Sequence, residues 1–181
     1  MGPRPGSLIR YAEVAAAPWH NGGGRTRELH AGEGWRLSVA TIAEAGEFSA
    51  FPGRERALVV GRGRLVLSVG PERERHLTVG DRADFAGEAA VEASPMGGPV
   101  VAVNVMTERM RRTASVRVAR LDGPAPAAAA LVLLTGAASV QREGRDAAEL
   151  DPFDTVLHPA PGAVTGRGAL VVVVSIEEGQ S

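Results

Sequence analysis

The residues most able to do chemistry in this sequence are arginines placed among apolar strand residues. Apolar and polar side chains alternate through segment 35–42, so Leu37 faces one side of a predicted strand while Arg36 and Ser38 face the other. A charge that points into a closed sheet is costly unless a partner or ligand meets it. An inward Arg36 therefore requires an anion. Arg56 is a second guanidinium, and two of them at one mouth would grip a carboxylate through paired N–H groups.

Other polar side chains could orient such an acid, namely Thr26, Glu28 and Asn104, which supply donors and acceptors. The residues alone leave a second interpretation open, in which Arg36 and Glu28 form a structural ion pair on a solvated face. They also leave catalysis open, because Glu28 or His20 could act as a general base while Arg36 polarises a substrate. No catalytic residue is assigned, and whether the protein is an enzyme stays open.

The most distinctive segment is 18–28, which reads Pro-Trp-His-Asn-Gly-Gly-Gly-Arg-Thr-Arg-Glu. Glycines permit positive φ angles and let backbone N–H groups approach a ligand closely. Asn21, directly before the three glycines, is a candidate ligand-binding residue for that reason. The same run is equally compatible with a wide turn or bulge in which glycine serves geometry alone.

Metal and cofactor chemistry find little support. The chain has no cysteine, which removes thiolate nucleophiles and thiolate metal ligands together. It also has no lysine for a phosphate-binding loop of the Walker type. The four histidines lie in separate elements without the spacing of a ligand set; they are His20, His30, His76 and His158. We therefore expect neither a metal nor a cofactor.

Charge and hydropathy exclude two classes of partner. The formal net charge is −1, so no basic field is available to hold a phosphate backbone, and we expect no nucleic-acid partner. The most apolar stretch, residues 127–140, is shorter than a membrane span and interrupted by Thr135 and Gly136. The first residues lack an apolar core of secretory length. We therefore expect no membrane partner and a cytoplasmic location.

The elements that must position these residues are predicted to be short strands separated by Gly, Pro and Asp clusters, with little helix. The predicted strands are 35–42, 58–60, 65–69, 100–106, 115–120, 131–135 and 169–176. Many short strands at regular spacing are typical of an all-β sandwich or barrel.

The chain also repeats itself. A shift of about 73 positions places residues 58–60 on 131–133, Gly63 on Gly136, and Asp81 on Asp154. The recurrence of a Gly turn, a strand and a turn Asp in the same order indicates a duplication. The boundaries predicted for the two halves are 1–112, which carries the motifs, and 113–181, which is degenerate.

Each half resembles the half-barrel of a cupin, because a Gly turn follows one strand and Leu77-Thr78-Val79-Gly80-Asp81 precedes the next. The resemblance implies an all-β, cupin-like double-stranded β-helix, with two packed half-repeats forming a bicupin. Such a fold encloses an interior that side chains fill or a ligand occupies. A homodimer through a strand of the second half, such as 171–176, is a further expectation.

Three motifs together resemble the HutD/Ves family of bicupin-like proteins. The first is the Pro-Trp-x-Asn-Gly-Gly-Gly-x-Thr-x-Glu segment, and the second is Gly-Glu-Phe-Ser-Ala-Phe-Pro-Gly-Arg-Glu-Arg at 46–56. The third is Gly-Pro-Val-Val-Ala-Val-Asn-Val-Met at 98–106 with the trailing Arg109. They cover residues 18–109, and the second half matches in pattern only. Two departures stand out: His20 replaces the Lys usual in the family, and Ala102 replaces an Asp.

The resemblance implies a protein that binds a small carboxylate, with formylated glutamate as the kind of ligand proposed, and that modulates histidine or amino-acid catabolism. It favours the ligand interpretation over the ion pair for Arg36 and Asn104. The predicted ligand-binding residues are Asn21, Thr26, Glu28, Arg36, Ser38, Arg56 and Asn104. The alternative is a metal-independent cupin isomerase or hydrolase acting on a small carboxylic acid.

Overall fold

The computed structural model describes residues 6–71, 74–142 and 144–179, and within them it is built of β-strands. One 3-10 turn, Tyr11–Glu13, is the only helical element of that described part. The strands up to the middle of the chain are β1 (Ser7–Ile9), β2 (Ala16–Pro18), β3 (Gly24–Gly32), β4 (Trp35–Ile42), β5 (Gly46–Glu47), β6 (Arg54–Arg62), β7 (Leu65–Val69), β8 (Arg75–Leu77) and β9 (Arg82–Ala86). The remainder are β10 (Val91–Pro95), β11 (Val100–Glu108), β12 (Arg112–Pro124), β13 (Ala130–Val140), β14 (Ala148–Glu149), β15 (Thr155–Leu157) and β16 (Val164–Glu178). The all-β prediction is confirmed.

The chain divides into two compact units. The larger unit consists of Ala15–Thr113 with Glu178–Ser181, and the smaller unit consists of Met1–Val14 with Ala114–Glu177. Strand β1 joins the smaller unit because it pairs with β15, with Leu8 opposite Val156.

The larger unit has two sheets. One has six strands in the order β2-β3-β4-β11-β6-β9, and the other has four in the order β5-β10-β7-β8. A buried apolar core draws on both, because Leu58 and Val60 of the first sheet cluster with Leu65 and Leu67 of the second. The sheets meet through this core without hydrogen bonding edge to edge, so the cupin-like unit is not a closed barrel.

The smaller unit has one sheet, in the order β1-β15-β13-β16-β12, with β14 also paired to β13. Its core gathers Leu131, Leu133, Val171 and Val173 from the two central strands. Strand β16 lies between β13 and β12. Residues 171–176, expected to form a dimer strand, therefore belong to a strand inside this sheet.

Each unit contains the same turn at the positions matched by the repeat. In the larger unit the carboxylate of Asp81 accepts the Thr78 N–H at 2.8 Å, and in the smaller unit Asp154 accepts the Asp151 N–H at 3.0 Å. The Asp81 N–H also donates to the Thr78 carbonyl oxygen (2.9 Å), as Asp154 does to Asp151 (3.0 Å). Both aspartates therefore stand at the last position of a β-turn before a strand, and their carboxylates also accept the first N–H of that turn.

A second feature of this turn recurs in both units. Gly80 has φ +91° and Phe153, at the matched position, has φ +72°. Their N–H groups donate to Val60 and Leu133, which also match. Since a bulky residue rarely adopts positive φ, the turn geometry is imposed by the fold rather than by glycine.

Candidate functional site

The inner face of the six-stranded sheet changes from apolar to polar along its strands. Strand β11 lies between β4 and β6, and residues directly opposite each other project to the same face. Along this face the matched rows of β4, β11 and β6 are Ala40, Ala102 and Val60, then Ser38, Asn104 and Leu58, then Arg36, Met106 and Arg56. The predicted alternation of β4 is confirmed, and Arg36, Ser38 and Ala40 share the inner face.

The polar end of this face forms a cavity of about 330 Å³. The sequence predicted seven ligand-binding residues, and six of them line its wall: Asn21, Thr26, Arg36, Ser38, Arg56 and Asn104. The remaining lining residues are Ala17, Pro18, Trp19, His20, Ala40, Glu47, Phe48, Ser49, Phe51 and Met106. The structure therefore brings together polar side chains from β3, β4, β6 and β11 that are far apart in sequence.

Arg56 is the most unusual of these groups. It is only 7% exposed, and its hydrogen bonds are long: 3.4 Å to the Ser49 carbonyl oxygen and 3.5 Å to Oδ1 of Asn104. Its Nε is buried without a hydrogen-bond partner among the described residues. Burial, and secondarily the charge of Arg36, lowers the pKa of Arg56 to about 10. A buried cation in this state favours the approach of an anion.

Three phenylalanine rings surround the Arg56 guanidinium. Its central carbon lies 4.8 Å from the ring centroid of Phe85, 5.2 Å from that of Phe48 and 5.5 Å from that of Phe51. Each distance falls within the range of a cation–π contact, which returns part of the cost of burying the charge. The rings also limit where the guanidinium can point, so its N–H groups are held in one place.

Asn104 and Ser38 are buried beside Arg56, at 5% and 2% exposure. They stand opposite each other on β11 and β4, in the row next to that of Arg56. The side-chain carbonyl oxygen of Asn104 accepts a hydrogen bond from Arg56, so this contact does not use the Asn104 NH2 group. A carboxylate at this point would meet charged and neutral donors together.

Arg36 and Glu28 form the ion pair that the sequence left open. Nε of Arg36 donates to Oε2 of Glu28 at 2.6 Å, and the Glu28 side chain is half exposed. Arg36 nevertheless lines the cavity, while Glu28 lines a neighbouring one of about 410 Å³. Arg36 thus forms the ion pair and lines the cavity as well, and the structure places Glu28 outside the first cavity.

The glycine-rich segment forms the turn that carries Trp19. The Gly22 N–H donates to the Trp19 carbonyl oxygen, and the Gly23 N–H donates to Oδ1 of Asn21. Gly24 is required by close approach, because a Cβ there would lie 2.5 Å from the Thr41 carbonyl oxygen and 2.9 Å from the indole. These N–H groups serve the turn, so the geometric interpretation of the glycines applies.

The cavity also has an aromatic wall, which sequence reasoning missed. Nε1 of Trp19 donates to Oγ1 of Thr26 at 2.8 Å, and the Trp19 ring meets Phe48 edge to face at 5.9 Å. Phe51 and Met106 complete this surface. The signal was present in the sequence, since Phe48 and Phe51 stand three residues apart in the second motif.

Arg109 holds the segment that leads into Arg56. Its guanidinium contacts both oxygens of Glu88 (2.8 and 3.0 Å) and Oε1 of Glu55 (2.5 Å). Hydrogen bonding to Arg109 lowers the pKa of Glu88, and the two carboxylates raise that of Arg109. The Arg109 N–H also donates to the Gly53 carbonyl oxygen. The network ties the 51–56 segment to the β11–β12 turn.

Two further predictions can be placed on the structure. His20 lines the cavity, whereas His30 stacks against Trp35 at a centroid distance of 4.1 Å.

Across residues 6–71, 74–142 and 144–179, no three side chains of the metal-ligating types come together. In the same part of the chain, no helix is long and apolar enough to cross a membrane.

Comparison with known proteins agrees with this geometry. The sequence profile described as HutD matches residues 11–172. An uncharacterised 21.2 kDa protein from the hutC 3′ region of Pseudomonas putida is 35% identical over 81% of this chain and 83% of its own length. Protein Ves of Citrobacter koseri is 37% identical over 61% of this chain and 64% of its own.

Two solved structures extend the likeness to the fold. HutD from Pseudomonas fluorescens SBW25 superposes with a TM-score of 0.74 at 28% identity, covering 94% of this chain and 98% of that one. A cupin 2 conserved barrel domain protein from Leptotrichia buccalis has a TM-score of 0.64 at 8% identity, covering 97% and 98%, and so shows the fold alone. The chain belongs to the HutD family and has a cupin-like fold.

Proposed function

We propose that this protein binds a small carboxylate metabolite, of the formylglutamate kind, and through that binding modulates histidine or amino-acid catabolism. The observation that carries the proposal is the buried guanidinium of Arg56. No acidic side chain in the described ranges pairs with it, and only two long hydrogen bonds reach it. A ligand carboxylate would supply the missing charge and the missing acceptors.

The remaining wall suits the body of a small acid. The buried amide of Asn104 and hydroxyl of Ser38 lie in the adjacent row to orient polar groups, and Trp19, Phe48 and Phe51 offer apolar surface. A volume of about 330 Å³ lies at the lower end of the range typical of small-molecule sites. The site therefore fits a compact acid better than a long chain or a polymer.

The proposed link to histidine or amino-acid catabolism comes from the names of related proteins. Relatives include a protein named for the hutC region and one named HutD. Capture of an acid of histidine breakdown would let such a protein sense or limit the pathway. This proposal does not require the protein to catalyse a reaction on the acid.

A thermal-shift series with formylglutamate, urocanate, glutamate and glutarate tests the proposal. We expect at least one acid to raise the melting temperature, because a ligand that binds only the folded state stabilises it. The matched alcohols or amides, which lack the carboxylate, should leave it unchanged. If no acid stabilises the protein, the proposal fails.

A further inference from the structure

We propose that the ligand is an acid that also carries a cationic nitrogen group, with its carboxylate held by Arg56 in the first cavity and its cation held by Glu28 in the second. This inference rests on the carboxylate site of the proposed function and extends its ligand to an acid with a cationic end, a group that formylglutamate lacks. It starts from Glu28, the one predicted site residue that does not line the first cavity.

The two cavities adjoin. The second, of about 410 Å³, shares Arg36, Phe51 and Met106 with the first. These three residues therefore form the divide between them. A ligand anchored at Arg56 and longer than the first cavity would pass these residues to reach the second cavity.

The carboxylates are concentrated on the side of the second cavity. The first cavity carries both arginines of the inner row, Arg36 and Arg56, against one exposed carboxylate, Glu47. The second adds three carboxylates, Glu28, Glu33 and Glu108, against Arg54 and Arg111. Arg54 and Arg111 already contact Glu108, at 3.6 and 2.7 Å. Of the other two carboxylates, Glu28 has the shared Arg36 as its partner and is the one that a ligand cation could take over from it.

The Arg36–Glu28 ion pair at the divide explains why a dipolar ligand suits this site better than a plain acid. A carboxylate that drew Arg36 toward Arg56 would leave Glu28 without its partner. A ligand cation would replace Arg36 on Glu28, so every charge in the pair of cavities would stay compensated. Binding would then be an exchange of ion-pair partners in which no charge is left unpaired.

The sheet geometry sets the length of the ligand. Arg56, Met106, Arg36 and Glu28 lie on the neighbouring strands β6, β11, β4 and β3, the first three in one row and Glu28 in the adjacent row, opposite Ser38. Three strand intervals separate the first from the last, or about 14 Å between backbones at about 4.8 Å per interval. The two side chains reach inward from each end and cover part of that distance. An ω-amino acid of medium length is the class that fits.

Isothermal titration of matched ligands tests this inference. We expect 6-aminohexanoate to bind about fivefold more tightly than hexanoate, the upper range for a half-exposed ion pair. Glu28→Gln should abolish this preference, both by removing the anion and by freeing Arg36 for the plain acid. Glu47→Gln, which removes the carboxylate of the first cavity, should retain it. Butyrate and 4-aminobutyrate, too short to pass the divide, should show no preference.

The outcomes separate this inference from the proposed function. Equal binding of hexanoate and 6-aminohexanoate, lost in Arg56→Met, would overturn the dipolar ligand and leave the carboxylate site standing. A preference for the amine that survives in Glu28→Gln would overturn the role of Glu28. Failure of every acid, including those of the thermal-shift series, would overturn both proposals.

Discussion

The two units of this protein share a frame and differ in what they bury. Leu58 lies opposite Asn104 in the larger unit, and the matched Leu131 lies opposite Val173 in the smaller unit. The position of Arg56 is taken by Ala129 in the repeat. One unit thus buries an amide and a guanidinium where the other has apolar side chains.

This difference teaches which residues serve folding and which serve binding. The turn aspartates Asp81 and Asp154 recur with the same hydrogen bonds, because both units need the turn. Arg56 and Asn104 do not recur, and their burial costs free energy that the fold itself does not require. The smaller unit buries the polar Asp154 and Thr155 at its shared turn, whereas the larger unit buries Arg56 and Asn104 away from that turn, where we propose that the ligand binds.

The substitution with the largest expected effect on this difference between the units is Arg56→Met, which makes the position apolar, as Ala129 is in the repeat. Acid binding should fall by about 100-fold or more, because a charge-assisted carboxylate contact is lost. Titration calorimetry measures this loss. Arg62→Met, which removes an exposed arginine from the same strand, should bind acids as the wild type does.

The same variant should raise stability. The folded state holds the Arg56 proton less tightly than the unfolded chain, since burial lowers its pKa from the ordinary arginine value to about 10. At neutral pH that difference corresponds to about 3 kcal/mol of destabilisation, of which the aromatic contacts return a part. Urea unfolding of the ligand-free Arg56→Met variant should therefore show a gain of about 1–3 kcal/mol. A loss of stability would contradict this reading of Arg56.

A second test concerns the turn that carries the aromatic wall. Gly24→Ala should lower the free energy of unfolding by about 2 kcal/mol, because its Cβ would overlap the Thr41 carbonyl oxygen and the Trp19 ring. Gly22→Ala meets no atom within 4 Å and should cost only about 1 kcal/mol, from its φ of +74°. Equal losses in chemical denaturation would argue against the close packing of Trp19.

A reciprocal exchange sharpens the comparison further. Asn104→Val should weaken acid binding about tenfold by removing an amide donor. Val173→Asn buries an amide in the apolar core of the smaller unit and should cost about 1–2 kcal/mol of stability with no change in acid binding. Weaker binding in Val173→Asn would show that the division of roles between the units is wrong.

The smallest effect is expected at Arg109. Arg109→Met should weaken acid binding about twofold to fivefold, since the network of Glu55 and Glu88 that holds the 51–56 segment is exposed and partly screened. Because Arg109 lowers the pKa of Glu88, the stability from this pair is present above the unfolded carboxyl pKa and is lost as pH falls through the folded one. Acid titration of stability should show that loss in the wild type and less of it in Arg109→Met.

Sequence reasoning reached seven of the strands, among them β4 and β11, and much of the cavity lining for physical reasons. Alternation fixes which face a strand residue takes, and this placed Arg36 and Ser38 correctly on the inner face of β4. The repeat was visible because turn residues such as Asp81 are local. The pairing of β6 with β11, which puts Arg56 beside Asn104, joins residues 48 positions apart and lies beyond local pattern.

The burial of individual side chains could not be predicted from the sequence either. Arg36 and Arg56 look alike in sequence, but one has Glu28 as a partner and the other is enclosed by Phe48, Phe51 and Phe85. The sequence therefore placed its emphasis on Arg36, whereas the structure shifts it to Arg56. Only the packed structure shows which cation lacks a counter-charge.

A crystal structure with formylglutamate, or with whichever acid stabilises the protein most, tests the central claim most directly. The account predicts a carboxylate between the Arg56 guanidinium and the Asn104 amide, with N···O distances of about 2.7–2.9 Å to the guanidinium. An acid bound elsewhere, with Arg56 still facing only Ser49 and Asn104, would contradict it.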